Sequence, residues 1–139
     1  MIKLRKATFQ HVESEMYAYH ETRREIIRLK NEILYGKGNE DENTGGGRSS
    51  LPGDPTGMTA VLLVSHKRLE QLQAVVNAIE LVVNGLPDGH KELVKLKYWT
   101  KPQTLTWDGI AHKLHVSKRQ ALRWRDEVVQ MVGDKIGWR

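Results

Sequence analysis

Three basic side chains near the start of a predicted C-terminal helix have the spacing of a base-reading surface. Lys118, Arg119 and Arg123 lie one and four residues apart, so a helix places them on one face. Arginine can donate two parallel hydrogen bonds to O6 and N7 of guanine. A recognition helix presents its N-terminal residues to base edges in the major groove. These three residues are therefore the candidates for reading DNA sequence.

Further residues around this helix are predicted to hold the DNA backbone. Positive side chains flank the base-reading face, and free backbone N–H groups at helix starts attract phosphate. The predicted phosphate-binding residues are Lys101, Thr106, Lys113, Ser117 and Arg125. The alternative interpretation of the same pattern is a solvated basic face that binds no ligand.

Two short helices joined by a tight turn are needed to position these side chains. Thr106 precedes a helix over 107–114, and Ser117 with Gln120 has the form of a capping box that begins a second helix. The positions where the two helices would meet are apolar or small: Ile110, Ala111, Leu114, Val116, Ala121 and Trp124. His115 stands in the turn, where glycine in a left-handed conformation is common. The pattern predicts a helix-turn-helix unit, in which Gly133 ends the second helix.

The region before this unit is predicted to contain a shorter helix and two long ones. A helix over 89–99 follows Asp88 as its N-cap, and Trp99, Trp107 and Trp124 are expected to form much of the small domain's core. Further upstream, apolar spacing predicts one helix over 8–35, capped by Thr8 and stopped by Gly36. A Gly-rich loop over 36–57 leads to another helix, capped by Asp54 with Pro55 at its first position and running to about Asn84.

The second long helix carries a heptad pattern that predicts both a hairpin and self-association. The predicted oligomerisation residues are Leu69, Leu72, Val76, Ile79 and Val83. The expected fold is all-α: a long N-terminal helical hairpin followed by a small three-helix domain. The expected domains are 1–86, the hairpin and oligomerisation module, and 87–139, the DNA-binding module.

Charge and composition support a polyanionic partner and disfavour several other classes. The chain has a net charge of +5, and residues 87–139 carry eleven basic and six acidic side chains. No cysteine is present, which excludes disulfides, thiolate zinc sites and cysteine nucleophiles. The sequence contains no run of eighteen apolar residues, so we expect no membrane helix. We also expect no signal peptide.

An enzymatic function, as a nuclease or small hydrolase, is the alternative of a different class. His112 and His115 lie three residues apart, with Asp108 the closest acidic candidate, but no H-E-x-x-H or comparable metal motif occurs. Solvent-facing helical positions explain the histidines more simply. We expect no catalytic residue, no metal site and no cofactor.

Two family resemblances are visible at this point. The segments Leu86-Pro87, HKELVKLKYW (90–99) and TWDGIAHKLHVSKRQALRWRDEV (106–128) resemble region four of bacterial sigma factors. The whole chain resembles the RinA family of phage late transcription activators. That resemblance rests on YHETRREI (19–26), NEDENTGGGRSS (39–50), YWTKPQTLTWDGIAHKLHVSK (98–118), RWRDE (123–127) and GWR (137–139).

The RinA resemblance implies an activator of the phage late operon for packaging and morphogenesis, which begins with the terminase genes. It implies double-stranded promoter DNA as the partner, the host RNA polymerase as a second partner, and the cytoplasm of the host bacterium as the location. The likeness to sigma region four implies base reading by Lys118, Arg119 and Arg123. A terminase small subunit, which recognises phage DNA for packaging as a ring of subunits, is the alternative.

Overall fold

The computed structural model describes residues 2–35 and 55–139, and in the second range it describes side chains from residue 61 onward. Within these ranges the chain is all-α, as predicted, and contains no strand. Six helices follow one another: α1 Lys6–Tyr17, α2 Tyr19–Tyr35, α3 Pro55–Asn84, α4 Asp88–Tyr98, α5 Trp107–Leu114 and α6 Lys118–Ile136.

The predicted single helix over 8–35 is wrong, because it breaks at Ala18. Ala18 has φ −86° and ψ 2°, and it separates α1 from α2. The indole N–H of Trp99 donates a 3.0 Å hydrogen bond to the carbonyl of Met16, beside the break. A distant side chain thus supplies a donor to a carbonyl at the end of α1. Thr8 is not the N-cap; that position is Arg5, which makes no side-chain capping bond.

The helix α3 begins at Pro55, the first helical position predicted for it, and runs for 30 residues. The end of the predicted Gly-rich loop is therefore wrong, since 55–57 are helical. The predicted N-cap Asp54, the predicted stop Gly36 and the rest of that loop lie outside the described residues.

Two further helix boundaries differ from prediction. The N-cap of α4 is Pro87, and Asp88 is the first helical residue instead of the cap. Asp88 still lies in the first turn, where a carboxylate interacts favourably with the helix dipole. Gly133 does not end α6, because that helix continues to Ile136 and Gly137 takes the left-handed C-cap conformation, with φ 96°.

Gly133 instead allows the N-terminal segment to approach α6. A Cβ at this position would stand 2.7 Å from Cδ1 of Leu4, which is closer than carbon atoms pack. Gln130 fixes the same segment, since its Nε2 donates to the carbonyl of Ile2 at 2.8 Å and its Oε1 accepts from the Leu4 N–H at 3.1 Å. The glycine thus permits this close tertiary packing of Leu4, which the local pattern did not reveal.

The contacts divide the chain into two compact units whose limits differ from the expected boundary at residue 86. One, here called the composite unit, comprises residues 1–19 and 75–139; the other, the inserted unit, spans residues 20–74. In the composite unit α1 packs on α6, and α4, α5 and α6 pack on one another. Its largest fully buried side chains are Tyr98, Met16, Ile79, Leu93, Ile110, Val12, Val94, Val128, Val129 and Val132.

Candidate nucleic-acid interface

The segment from α5 to α6 has the local geometry that its sequence predicts. The hydroxyl of Thr106 accepts a hydrogen bond from the Gly109 N–H at 3.1 Å, and that of Ser117 accepts from the Gln120 N–H at 3.0 Å. Both predicted N-caps are confirmed. His115 adopts the left-handed conformation, with φ 59° and ψ 39°, as expected for the turn.

Apolar side chains fix the angle between these two helices. Ala111 and Ala121 are buried with Leu93 of α4 in one cluster. Four larger side chains pack against that cluster and remain partly exposed: Trp107, Leu114, Val116 and Trp124. Ile110 is also buried. Five of the six predicted contact residues therefore lie in or against this cluster, and the tryptophans cover it instead of filling its centre.

The indole ring of Trp124 packs against α4 at a glycine, Gly89, which leaves room for it. A Cβ on Gly89 would stand 2.9 Å from two carbon atoms of the indole ring. The ring of His90 stacks on Trp124 with centroids 4.6 Å apart, and His90 Nε2 lies 2.9 Å from Oε1 of Glu127. Gly89, His90 and Glu127 thus hold α4 against α6.

The three predicted base-reading side chains are all exposed on α6. Lys118 is the first residue of that helix, Arg119 follows it, and Arg123 lies one turn later. Within the described part of the chain, none of the three makes a hydrogen bond or an ion pair. Their cationic groups are therefore available to a ligand, although Asp126, exposed one turn further along, adds a negative charge nearby.

Four of the predicted phosphate-binding residues are exposed as well: Lys101, Thr106, Lys113 and Ser117. Thr106 and Ser117 mark the starts of α5 and α6, where backbone N–H groups are free to meet an anion. Lys113 lies in the last turn of α5, just before the turn. Lys113 and Ser117 thus lie close to the start of α6 in sequence, whereas Thr106 stands at the start of α5 and Lys101 in the loop before it.

Arg125, the fifth predicted phosphate contact, is occupied within the fold. Its Nε lies 2.6 Å from Oδ1 of Asp126, and one of its terminal nitrogens lies 3.7 Å from Oε2 of Glu13. Its guanidinium also lies over the rings of Phe9, at 5.2 Å, and Trp107, at 5.4 Å. Arg125 joins α1, α5 and α6, and binding phosphate would compete with those contacts.

A positioning role for Gln103 was missed by sequence reasoning. Its Nε2 donates to the carbonyls of Leu96 and Lys97, each at 2.8 Å, and its Oε1 accepts from the Leu105 N–H at 2.9 Å. One side chain thus fastens the loop between α4 and α5, which carries Lys101, to the end of α4. No pattern in the local sequence indicated these hydrogen bonds.

The predicted oligomerisation residues are divided between the core and the partly exposed surface. Val76, Ile79 and Val83 are buried within the chain, with exposures of 3%, 0% and 7%. Leu69 and Leu72 are half-buried. Because three of the five lie inside a single copy of the chain, the heptad pattern reflects intramolecular packing at those positions.

Two further observations concern metal-binding groups and membrane-spanning helices among the described residues. Among them, no group of three His, Asp or Glu side chains is placed to hold a metal ion. No described helix combines the length and the apolar character that a membrane span needs.

Comparison with known proteins gives one match. Neither the curated proteins nor the solved structures contain a match to this chain. A family model described as a protein of unknown function, DUF722, matches residues 10–134. The match covers all of α2 to α5, together with most of α1 and α6. The chain therefore belongs to the DUF722 family.

Proposed function

We propose that this protein is a sequence-specific DNA-binding transcription activator. The observation that carries the proposal is the exposure of Lys118, Arg119 and Arg123 at the start of α6, directly after a capped turn. Those side chains make no hydrogen bond or ion pair with the described residues. In a helix-turn-helix, this end of the second helix meets base edges in the major groove.

In this proposal, α5 and α6 form the helix-turn-helix and α4 is the third helix of a sigma-region-four-like domain. The starts of α5 and α6, with Lys101 and Lys113, contact phosphates on either side of the groove. The composition agrees, because residues 87–139 carry the whole positive surplus of the chain. Arg125 is the weakest of the five phosphate contacts, since it already holds Glu13 and Asp126.

The biological role follows from the RinA resemblance. The target is the late operon of a phage or prophage, the host RNA polymerase is the second partner, and the site of action is the cytoplasm of the host bacterium. One helix-turn-helix module buries only about 600–1,000 Å² on DNA, so specific binding needs a second module or a polymerase contact. We propose that α2 and α3 form a hairpin and that the protein acts as a homo-oligomer.

A footprint on the phage's own DNA tests this proposal. Purified protein is added at two salt concentrations to fragments that cover the region upstream of the terminase genes and the packaging site. We expect protection upstream of the operon that weakens as salt rises. Protection confined to the packaging site, together with a closed ring of subunits in light scattering, would favour a terminase small subunit. Absence of protection would contradict both functions.

A further inference from the structure

The helix α2 divides its residues cleanly between an inner and an outer side. Thr22, Ile26 and Leu29 are buried, at 9%, 5% and 3% exposure. They recur at steps of four and three, so they share one face of the helix. An exposed strip beside this buried face, which we call the outer face, has Ile27 and Leu34 at its centre, with the flanking residues Arg23, Lys30, His20, Arg24 and Asn31. Glu21, Arg28 and Tyr35 are also exposed and lie beyond it.

The carboxylates and the outer-face cations of α2 occupy different parts of the helix surface. Two of the three glutamates of α2 are bound by other cations: Arg28 binds Glu25 and Glu32, each at 2.7 Å, and Arg68 lies 3.9 Å from Glu25. The third, Glu21, is exposed beyond the outer face and also has an interaction partner. The hydrogen bond from Arg28 lowers the pKa of Glu25, which keeps that carboxylate ionised. The outer face itself contains three cationic side chains and no carboxylate.

Large apolar side chains separate the cations of the outer face. Ile27 is 57% exposed and Leu34, seven residues later, is 73% exposed. The spacing of seven residues is that of the anchors with which helices recognise one another. A nucleic-acid backbone would interact favourably with the cations but would not bury Ile27 and Leu34, because protein–DNA interfaces are more polar than protein–protein ones.

We propose that the outer face of α2 binds a protein helix that carries carboxylates on both sides of an apolar stripe. Charge complementarity selects this partner: its carboxylates would meet Arg24 and Lys30, and its apolar side chains would cover Ile27 and Leu34. This interaction goes beyond DNA binding and does not depend on it, since the face lies wholly in the inserted unit.

A synthetic peptide with these features tests the proposal on the full chain. The probe is a fluorescein-labelled helix-forming peptide of about 18 residues, long enough at ~1.5 Å per residue to follow the face. It carries leucine at helical spacing, flanked by glutamate. We expect saturable binding by fluorescence anisotropy, and a loss of about tenfold when glutamine replaces the glutamates.

Protein variants locate the binding surface. The double substitution Arg24→Glu with Lys30→Glu should weaken binding of the acidic peptide about tenfold or more, and Ile27→Asp should weaken it similarly. The matched control is Lys67→Glu, an exposed charge reversal on α3, which should change affinity less than about twofold. Circular dichroism and thermal unfolding establish that each variant is folded.

The remaining outcomes overturn the proposal. Failure of the acidic peptide to bind, or equal binding of its glutamine version, excludes a charge-selected helix. If the double variant loses affinity for a random DNA duplex but keeps the peptide, the face binds nucleic acid. Binding only to phosphatidylglycerol vesicles assigns it to a membrane surface. If wild-type dimers become monomers in the Ile27→Asp variant, its partner is a second copy. A failed footprint leaves all these results unaffected.

Discussion

The phenol of Tyr98 donates a 2.6 Å hydrogen bond to the carboxylate of Glu13, joining α4 to α1 across 85 positions of sequence. The ring of Tyr98 is almost wholly buried, at 1% exposure. Arg125 approaches the same carboxylate from α6. A residue of the N-terminal helix thereby connects two helices of the proposed DNA-binding domain, so that domain includes α1 as a structural part.

Replacing Tyr98 by phenylalanine should destabilise the protein. The substitution removes the hydrogen bond and leaves the carboxylate of Glu13 without its donor, which costs about 1–3 kcal/mol. Urea unfolding followed by circular dichroism measures this difference in the free energy of unfolding. Tyr17→Phe is the control: Tyr17 is 40% exposed and contacts the ring of Tyr98 edge to face, so its hydroxyl should matter little. Equal losses in both variants would disprove the role of the Glu13 hydrogen bond.

Stability should fall at high pH in a way that depends on Tyr98. Burial, and then the hydrogen bond to Glu13, raise the pKa of Tyr98 well above its usual range. An unfolded tyrosine ionises near a pKa of about 10, so above that pH the unfolded state releases a proton that the folded state retains. Stability present below about pH 10 is therefore lost as pH rises, at up to about 1.4 kcal/mol per pH unit. Urea unfolding between about pH 9 and pH 11 should show a steeper loss for wild type than for Tyr98→Phe.

Glycine at position 115 should stabilise the turn between α5 and α6. His115 is exposed and has φ 59°, a conformation that costs a residue with a Cβ about 1–2 kcal/mol. We expect His115→Gly to raise the free energy of unfolding by about 1 kcal/mol, after the entropy that glycine adds to the unfolded chain. His112→Gly, also exposed but inside α5, should lower it by about 1 kcal/mol. Thermal unfolding of the two variants measures whether each substitution raises or lowers the free energy of unfolding. A lower free energy of unfolding in His115→Gly would mean that the imidazole makes a stabilising contact.

Adding a methyl group at Gly89 should disturb the packing of Trp124. The new Cβ would lie 2.9 Å from the indole, and that ring is confined by its stacking on His90. We expect Gly89→Ala to cost about 1–3 kcal/mol and to shift the tryptophan fluorescence spectrum. Gly85→Ala is the control, since its Cβ would meet nothing closer than 3.6 Å. Unchanged stability in both would show that Trp124 moves aside without cost.

Substitutions on α5 and α6 should separate base reading from phosphate binding. Arg123→Ala should leave stability nearly unchanged and cost about 1–3 kcal/mol in binding to the specific site, with relaxed preference at one base position. Lys113→Ala should weaken specific and random duplexes alike and reduce the slope of log affinity against log salt by about 1.

Lys135→Ala is the matched control for these substitutions, because Lys135 is exposed near the far end of α6. It should alter neither affinity nor the salt slope. An Arg123→Ala variant that loses affinity equally for specific and random DNA would identify a phosphate contact at that position and remove Arg123 from the base-reading set.

Local sequence predicted the parts of the structure that local interactions determine. The hydroxyl caps at Thr106 and Ser117 bond to N–H groups three residues away, and His115 adopts its conformation within a single turn. Sequence patterns of this range are sufficient for such features. The caps and turn are also what define the start of α6, so the position of the candidate site followed from them.

Features that depend on distant partners were not predictable in this way. Ala18 breaks a continuous helical pattern beside a carbonyl to which Trp99 donates a hydrogen bond. Gly133 resembled a helix stop, but it lies inside α6, where the side chain of Leu4 packs closely against it. Arg125 had the residue type and spacing of a phosphate contact. No residue near it in sequence indicated that its guanidinium would lie beside Glu13. A heptad pattern states that a stripe is buried but not whether the same chain or another one buries it.

The attachment of Leu4 to Gln130 and Gly133 has a consequence for synthesis of the protein. During translation α1 leaves the ribosome long before α6 exists, at about 5–20 residues per second, so the apolar side of α1 stays uncovered for several seconds. Val12 and Met16, fully buried in the folded chain, lie on α1 and lack α6 as a packing partner during that interval. The composite unit closes only when almost all of its sequence has been made, which makes a nascent or truncated chain a natural substrate for chaperones and proteases.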